Sequence, residues 1–209
     1  SAGRFKSSGR GGSVSRLSQI PVLAIDGPSG TGKGMVGSCI AKARGWHLLD
    51  SGALYRAFAF AANEQGVAPN DVEGLDALDR QTEFAFETTS SGEVEIRVNG
   101  REISMIARGE QGGQLASLYA AVPAVRSRLI EYQRSQRQEP GLVADGRDIG
   151  TVVFPDATLK IFLTANPKIR AERRYNQLKS KDFDVTLSQV VVQIAERDHK
   201  DVNRKVAPL

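Results

Sequence analysis

The sequence predicts an α/β fold, a parallel sheet flanked by helices that carries a small antiparallel insert. Three observations predict it. An apolar run, PVLAID (21–26), leads straight into the glycine-rich stretch 27–34 and then into residues spaced as a helix. Apolar runs go on alternating with helical stretches along the chain, the pattern of a parallel sheet with crossover helices. Between residues 82 and 104 the period shortens to strict alternation, with SSGE and NG as turn signals, which reads as an antiparallel meander.

The elements follow in order. Residues 1–18 hold Arg4, Lys6, Arg10 and Arg16, no acid, and much Gly and Ser. They are too polar to bury and are expected to form a disordered basic tail or linker ahead of one domain, 19–209. PVLAID suits a buried parallel strand. Val36, Ile40 and Ala43 recur at helical spacing, so a helix is expected over 33–44, with Cys39 on its packed side. WHLLD (46–50) is a second strand, and Leu54, Phe58 and Ala61 mark one face of a helix over 53–65. The meander falls in an insert of about 80–106. Residues 123–138 form an amphipathic helix with Val125, Leu129 and Tyr132 inward and the arginines largely elsewhere. GLVADGRDIG and ATLKIFLTA supply buried strands at 142–145 and 159–163, and helices are expected over 168–179 and 186–199.

Composition narrows the function classes. The formal charge is +4, from 28 basic and 24 acidic residues. Removing the four cations of the tail leaves 24 against 24, so the body is neutral and lacks the basic footprint of a nucleic-acid-binding domain. No apolar run is long enough to span a membrane. One cysteine, Cys39, makes no internal disulfide, which fits a reducing cytoplasm. With no sustained heptad, a monomer is expected.

The loop carries the chemistry. Gly27, Pro28, Ser29, Gly30, Thr31, Gly32 and Lys33 match G-x-x-x-x-G-K after an apolar strand, and Gly34 and Met35 follow. Its glycines let successive N–H groups converge on phosphate oxygens, the helix adds its positive end, and Lys33 supplies a point charge. Arg56, Arg126, Arg147, Arg197 and Arg204 lie near the ends of predicted elements, with carboxylates at Asp148 and Asp201. Planar guanidinium forks suit phosphate, and phosphoryl transfer between two nucleotides needs such a charged cleft.

IDGPSGTGKG, WHLLDSGALYR, GLVADGRDIGTVVFPDA, AERRYNQL and ERDHKDVNRKVAPL together resemble bacterial cytidylate kinases, from about Pro21 to Leu209. The resemblance implies a P-loop kinase with a five-stranded parallel core, a lid (about 166–185) and a monophosphate-binding insert. It implies transfer of the γ-phosphate of ATP, with Mg²⁺, to CMP or dCMP. Lys33 and the loop amides would hold the ATP phosphates. Arg56, Arg147 and Arg204 look like the clamp on the acceptor phosphate, and Ser51, Arg126 and Asp148 like the cytosine readers. Ser117, Arg197 and Asp201 resemble ribose contacts, and Arg173 and Arg174 resemble lid arginines. Cytosine's exocyclic amine donates to a carboxylate where uracil presents an acceptor, so a site holding Asp148 should prefer cytosine. No metal ligand is assigned within the protein. Asp26 stands open between holding a water on Mg²⁺ and a structural role, and His47 and His199 read as structural.

Two departures sustain a second reading. Met35 stands where the family has Thr or Ser, and family members continue past VAPL into a further strand and helix. A catalytically weakened or inactive nucleotide-binding relative is therefore the alternative to an active enzyme.

Overall fold

The computed structural model describes residues 20–90 and 92–203; the basic tail and Arg204 lie outside them. Strand β1 (Val22–Asp26) is buried along its whole length and sits between two parallel neighbours. These are β6 (Leu142–Gly146) on one side and β7 (Leu159–Phe162) on the other, and β2 (His47–Asp50) extends the sheet beyond β6. The order β2-β6-β1-β7 is parallel throughout, as predicted, with four strands among the described residues against the five the resemblance implied. The C-terminal ends of β1, β2 and β6 therefore converge, and the loops that leave them form one face.

Helix α1 (Lys33–Arg44) follows the glycine loop within the predicted bounds, but its packed face differs from the expected one. Lys33, Gly37, Ser38 and Ala41 are buried, whereas Val36 and Cys39 are exposed. The reason is steric. A Cβ on Gly37 would sit 3.4 Å from Leu48 and 3.5 Å from Val143, so the helix lies on the sheet through its smallest residues. An apolar stripe signals burial only where the partner surface leaves room for it.

Helix α2 (Ser51–Glu64) starts two residues early because Asp50 caps it, accepting from the Ala53 N–H at 2.9 Å. Leu54, Phe58 and Ala61 are buried as expected. Helix α3 (Val72–Gln81) was not foreseen; Asp71 caps it and Leu75 and Leu78 anchor it. The meander is present as β3 (Phe84–Thr88), β4 (Val94–Val98) and β5 (Arg101–Glu102), antiparallel, with Phe86 opposite Ile96. Alternate residues Val94, Ile96 and Val98 turn inward and join Phe58, Leu75, Leu78 and Leu129 in one core cluster. The small sheet thus shares its core with α2.

Helices α4 (Ser104–Arg108) and α5 (Glu110–Ala120) lead from the meander to α6 (Pro123–Ser135). The α4–α5 pair escaped the sequence reading because Gly109, Gly112 and Gly113 interrupt any helical signal there. On α6, Val125 and Leu129 are buried and Tyr132 half-buried; Arg126, expected outside the core, is also buried. After β6 comes one π-helical turn (Ile149–Val153), and after β7 come α7 (Pro167–Lys179) and α8 (Leu187–Val202). Ala171 and Leu178 of α7 pack on Val190 and Ile194 of α8.

Candidate active site

The glycine loop is shaped by what lies beside it. A Cβ on Gly27 would meet the Leu163 carbonyl oxygen at 2.1 Å, and Gly27 holds φ +142°, so only glycine fits. Gly30, at φ +76°, presses on Arg170 of α7 in the same way, with 3.0 Å from its Cβ position to the Arg170 oxygen. Three cations hold loop carbonyls. Lys33 Nζ donates to Pro28 (2.8 Å), Arg170 Nη1 to Ser29 (3.0 Å) and Arg173 Nη1 to Thr31 (3.2 Å). The exposed side chain at this end is Met35, 76% accessible in the first turn of α1.

Beneath the loop the strand ends place carboxylates. Both Asp26 oxygens are taken, accepting from the Ile149 and Gly150 N–H groups at 2.8 Å each, so this residue pins the π-helical turn. Burial pushes the Asp26 carboxyl up, against the pull of those two N–H groups. Asp145, at the end of β6, is buried and its Oδ2 has no hydrogen-bond partner. That oxygen lies 3.5 Å from where a Gly34 Cβ would be. Burial, reinforced by the Asp50 charge, raises the Asp145 carboxyl to about 7. Burial, reinforced by Arg147, lowers Lys33 to about 7.

A pocket of about 660 Å³ opens between the sheet end, α2, α5, α6 and α8. Ser51, Ser117, Arg126, Arg147, Asp148, Arg197 and Asp201 all line it, and so does His199. In its wall the buried Arg126 guanidinium is paired with buried Asp148, while its Nε and Nη1 have no hydrogen-bond partner. Also in the wall, Arg147 Nε donates to Asp201 at 2.8 Å. A hollow of about 80 Å³ bounded by Ser29, Ser117, Arg174 and Arg197 shares Ser117 and Arg197 with this pocket and reaches the glycine loop at Ser29.

The cations outnumber their partners. Burial lowers Arg56 to about 10 with Arg174, Arg108 and Arg147 adding repulsion, and lowers Arg197 to about 9 with Arg147 and Arg56 adding theirs. Arg174 is lowered to about 10 by burial and by Arg197 and Arg108, and its Nη2 donates to the Arg108 carbonyl at 2.6 Å. Nine buried side-chain atoms among the described residues lack a hydrogen bond, and five belong to Arg56, Arg126, Asp145 and Arg197. Left unsatisfied, each costs about 1–3 kcal/mol. The remedy the geometry calls for is a polyanion whose oxygens reach these guanidinium groups.

The structure therefore brings Lys33, Arg56, Arg147, Arg174 and Arg197 within reach of one another's charge, and lines one pocket with Arg126, Arg147, Asp148 and Arg197. Met35 points away from the fold, and Arg173 is exposed on α7, tethered to the loop. Three contributors escaped the sequence reading. Asp145 stands at the end of the GLVAD strand with no motif to mark it, although strand ends in a parallel sheet converge on such sites. Arg108 sits behind glycines that hid its helix. Arg170 reads in the sequence as one of several surface cations on α7, yet it is buried.

Comparison with known proteins meets this geometry independently. The family profile described as cytidylate kinase matches residues 23–209. The cytidylate kinase of Pseudomonas syringae pv. tomato is 53% identical over 192 residues, covering 91% of this chain and 84% of that one. Those of a Marinomonas species and of Methylococcus capsulatus are each 50% identical over 193 residues, covering 92% and 91% of this chain and 85% of theirs. With a phosphate loop, a polycationic pocket and identity of this extent over nearly its whole length, the chain belongs to the cytidylate kinase family.

Proposed function

We propose that the chain transfers the γ-phosphate of ATP to CMP or dCMP, giving ADP and CDP or dCDP. The observation that carries this reading is a single pocket lined both by guanidinium groups with unpaired donors and by the buried Arg126–Asp148 pair. Phosphate binds the cations that adjoin the glycine loop, and the base binds the Arg126–Asp148 pair. Asp148 accepts from the exocyclic amine of cytosine, and the free Nε and Nη1 of Arg126 donate to its acceptors. A uracil there would leave buried polar groups unpaired. Ser51 lines the same pocket and serves the base, and Ser117, Arg197 and Asp201 serve the ribose.

On the donor side the loop amides and Lys33 bind the ATP phosphates, Lys33 leaving the Pro28 carbonyl to do so. Arg147 and Arg56 hold the acceptor phosphate, together with Arg204. Arg173 and Arg174 close from α7 over the phosphoryl group in flight, so that charge spreading over its oxygens meets fixed cations. Residues of about 80–106 act as the acceptor-side insert and about 166–185 as the lid.

The family implies Mg²⁺ with ATP, and the residues fit it. Asp145 offers an unpartnered, buried oxygen beside Gly34, where no side chain intrudes, and is the group to face a hydrated ion. Bound there, Mg²⁺ would neutralise phosphate charge and help to orient the donor. Among the described residues no helix is long and apolar enough to cross a membrane. With ATP and CMP as substrates we place the enzyme in the cytoplasm, as a monomer.

The binding-only alternative finds no support among the relatives, which are named cytidylate kinase. The test is ADP release from ATP and Mg²⁺ with CMP, dCMP, UMP or AMP as acceptor. Turnover is expected with CMP and dCMP well above the others; absence of turnover with any of them overturns the reading.

A further inference from the structure

Three cations hold carbonyls of the glycine loop, and they are not equivalent. Lys33 reaches Pro28 with a flexible ammonium that phosphate oxygens will draw away. Arg173 is exposed and reaches Thr31 through one Nη1 bond. Arg170 differs from both. It is 3% accessible, its Nη1 donates to Ser29 (3.0 Å), and its Nε donates to Ala165 (3.0 Å). Its Nη1 and Nη2 grip the Asp198 carboxylate at 3.0 and 2.5 Å. A planar fork held along both edges in this way does not turn to meet a ligand.

We infer that Arg170, locked by Asp198, is a positioning residue for the donor nucleotide. It acts through the loop backbone and has no direct contact with phosphate. By drawing the Ser29 carbonyl outward it keeps an oxygen, which would repel phosphate, out of the cradle, and leaves the loop N–H groups facing in. Gly30 packs on the Arg170 backbone and Cβ, so the loop rests on this residue on two sides, by contact and by hydrogen bond. Arg170 also ties the loop to both helices that supply cations. It stands one turn ahead of Arg173 and Arg174 on α7, and Asp198 follows Arg197 on α8. Arg170 is thereby the joint between donor loop, lid and acceptor pocket. The arrangement needs guanidinium: a lysine keeps the charge but cannot serve Ser29, Ala165 and both oxygens of Asp198 together.

The inference rests on the kinase reading, and the experiment separates the two. Arg170→Lys and Asp198→Asn are compared with the unaltered chain by calorimetric titration with Mg-ATP and, separately, with CMP, and by steady-state KM, kcat and thermal melting. Arg170→Lys is expected to weaken ATP binding and raise the KM for ATP about tenfold, with a lower kcat and CMP affinity within about threefold. Asp198→Asn acts in the same direction with a smaller effect. If Tm falls while both affinities and kcat hold, or if ATP and CMP affinities fall equally, or if neither variant folds, the pair is only a structural tie and the inference is overturned. ATP titration reports on it even if the unaltered chain shows no CMP-dependent turnover, which would instead sink the kinase reading.

Discussion

Asp145→Asn tests whether the site was built at the expense of stability. The carboxyl is buried, is raised from 3.8 to about 7, and leaves Oδ2 unpaired. A rise of roughly three pKa units corresponds to about 4 kcal/mol against the charged form, an upper bound because Lys33 shares the site. The sign is definite. Between about pH 4 and pH 7 the folded chain binds a proton at Asp145 that the unfolded chain has lost, so stability falls as pH rises through that window. Above it the penalty is full; below it the penalty is gone. Asparagine removes the charge at nearly constant shape, and Lys33 loses one neighbouring anion in exchange, so the net gain at pH 7.5 is about 1–3 kcal/mol. For a chain of this size that raises Tm by about 3–9 °C. The assay is thermal melting of the nucleotide-free, EDTA-treated protein at pH 7.5 and pH 4, beside turnover at pH 7.5. A higher Tm at pH 7.5 is expected, with a gain that vanishes by pH 4 and a kcat/KM at least about a hundredfold lower, the cost of losing the charged group that faces the hydrated ion. An equal gain at both pH values, or a lower Tm at pH 7.5, would refute it.

Three further outcomes are expected. Asp148→Asn leaves the buried Arg126 without its carboxylate and costs about 3–5 kcal/mol in chemical denaturation. The same variant narrows the CMP-to-UMP ratio of kcat/KM by at least about tenfold, and an unchanged ratio would take the base-reading role from Asp148. Met35→Thr leaves Tm within about 1 °C because the side chain is exposed, and it raises kcat by about ten- to a hundredfold by restoring a hydroxyl beside the phosphates; an unchanged kcat would show that position 35 does not touch the donor. Gly27→Ala forces a Cβ against the Leu163 oxygen and a strained φ, so it costs more than about 3 kcal/mol and abolishes ATP binding, as melting and titration will show.

The strand–loop–helix unit, the alternating meander and the α6 and α7–α8 helices were legible because each writes its own period or turn chemistry into a short window. The glycine loop was legible for a related reason, since phosphate binding through backbone amides demands glycine at fixed spacing. What escaped depends on partners remote in sequence. The packed face of α1 is set by Leu48 and Val143 across the sheet, so Gly37 is buried while Val36 and Cys39 are not. Arg170 looks in sequence like any helix-surface cation; Asp198, on the next helix, makes it interior. Asp50 caps α2 and also adds to the charge felt by Asp145.

The unpaired groups explain why the pocket is legible as a site at all. Asp198 and Ser29 satisfy Arg170, and Asp156 and the Ile20 carbonyl engage Arg137, so this fold readily partners buried guanidinium groups where only structure is at stake. It leaves free donors on Arg56, Arg126 and Arg197; Arg126 and Arg197 line one cleft, and Arg56 feels the charge of Arg147 in its wall. A carboxylate added there would raise stability and compete with phosphate for the same forks. The cations thus stay frustrated until an anion arrives, and the free energy released on pairing is available for holding donor and acceptor phosphates, mutually repulsive in water, at reacting distance.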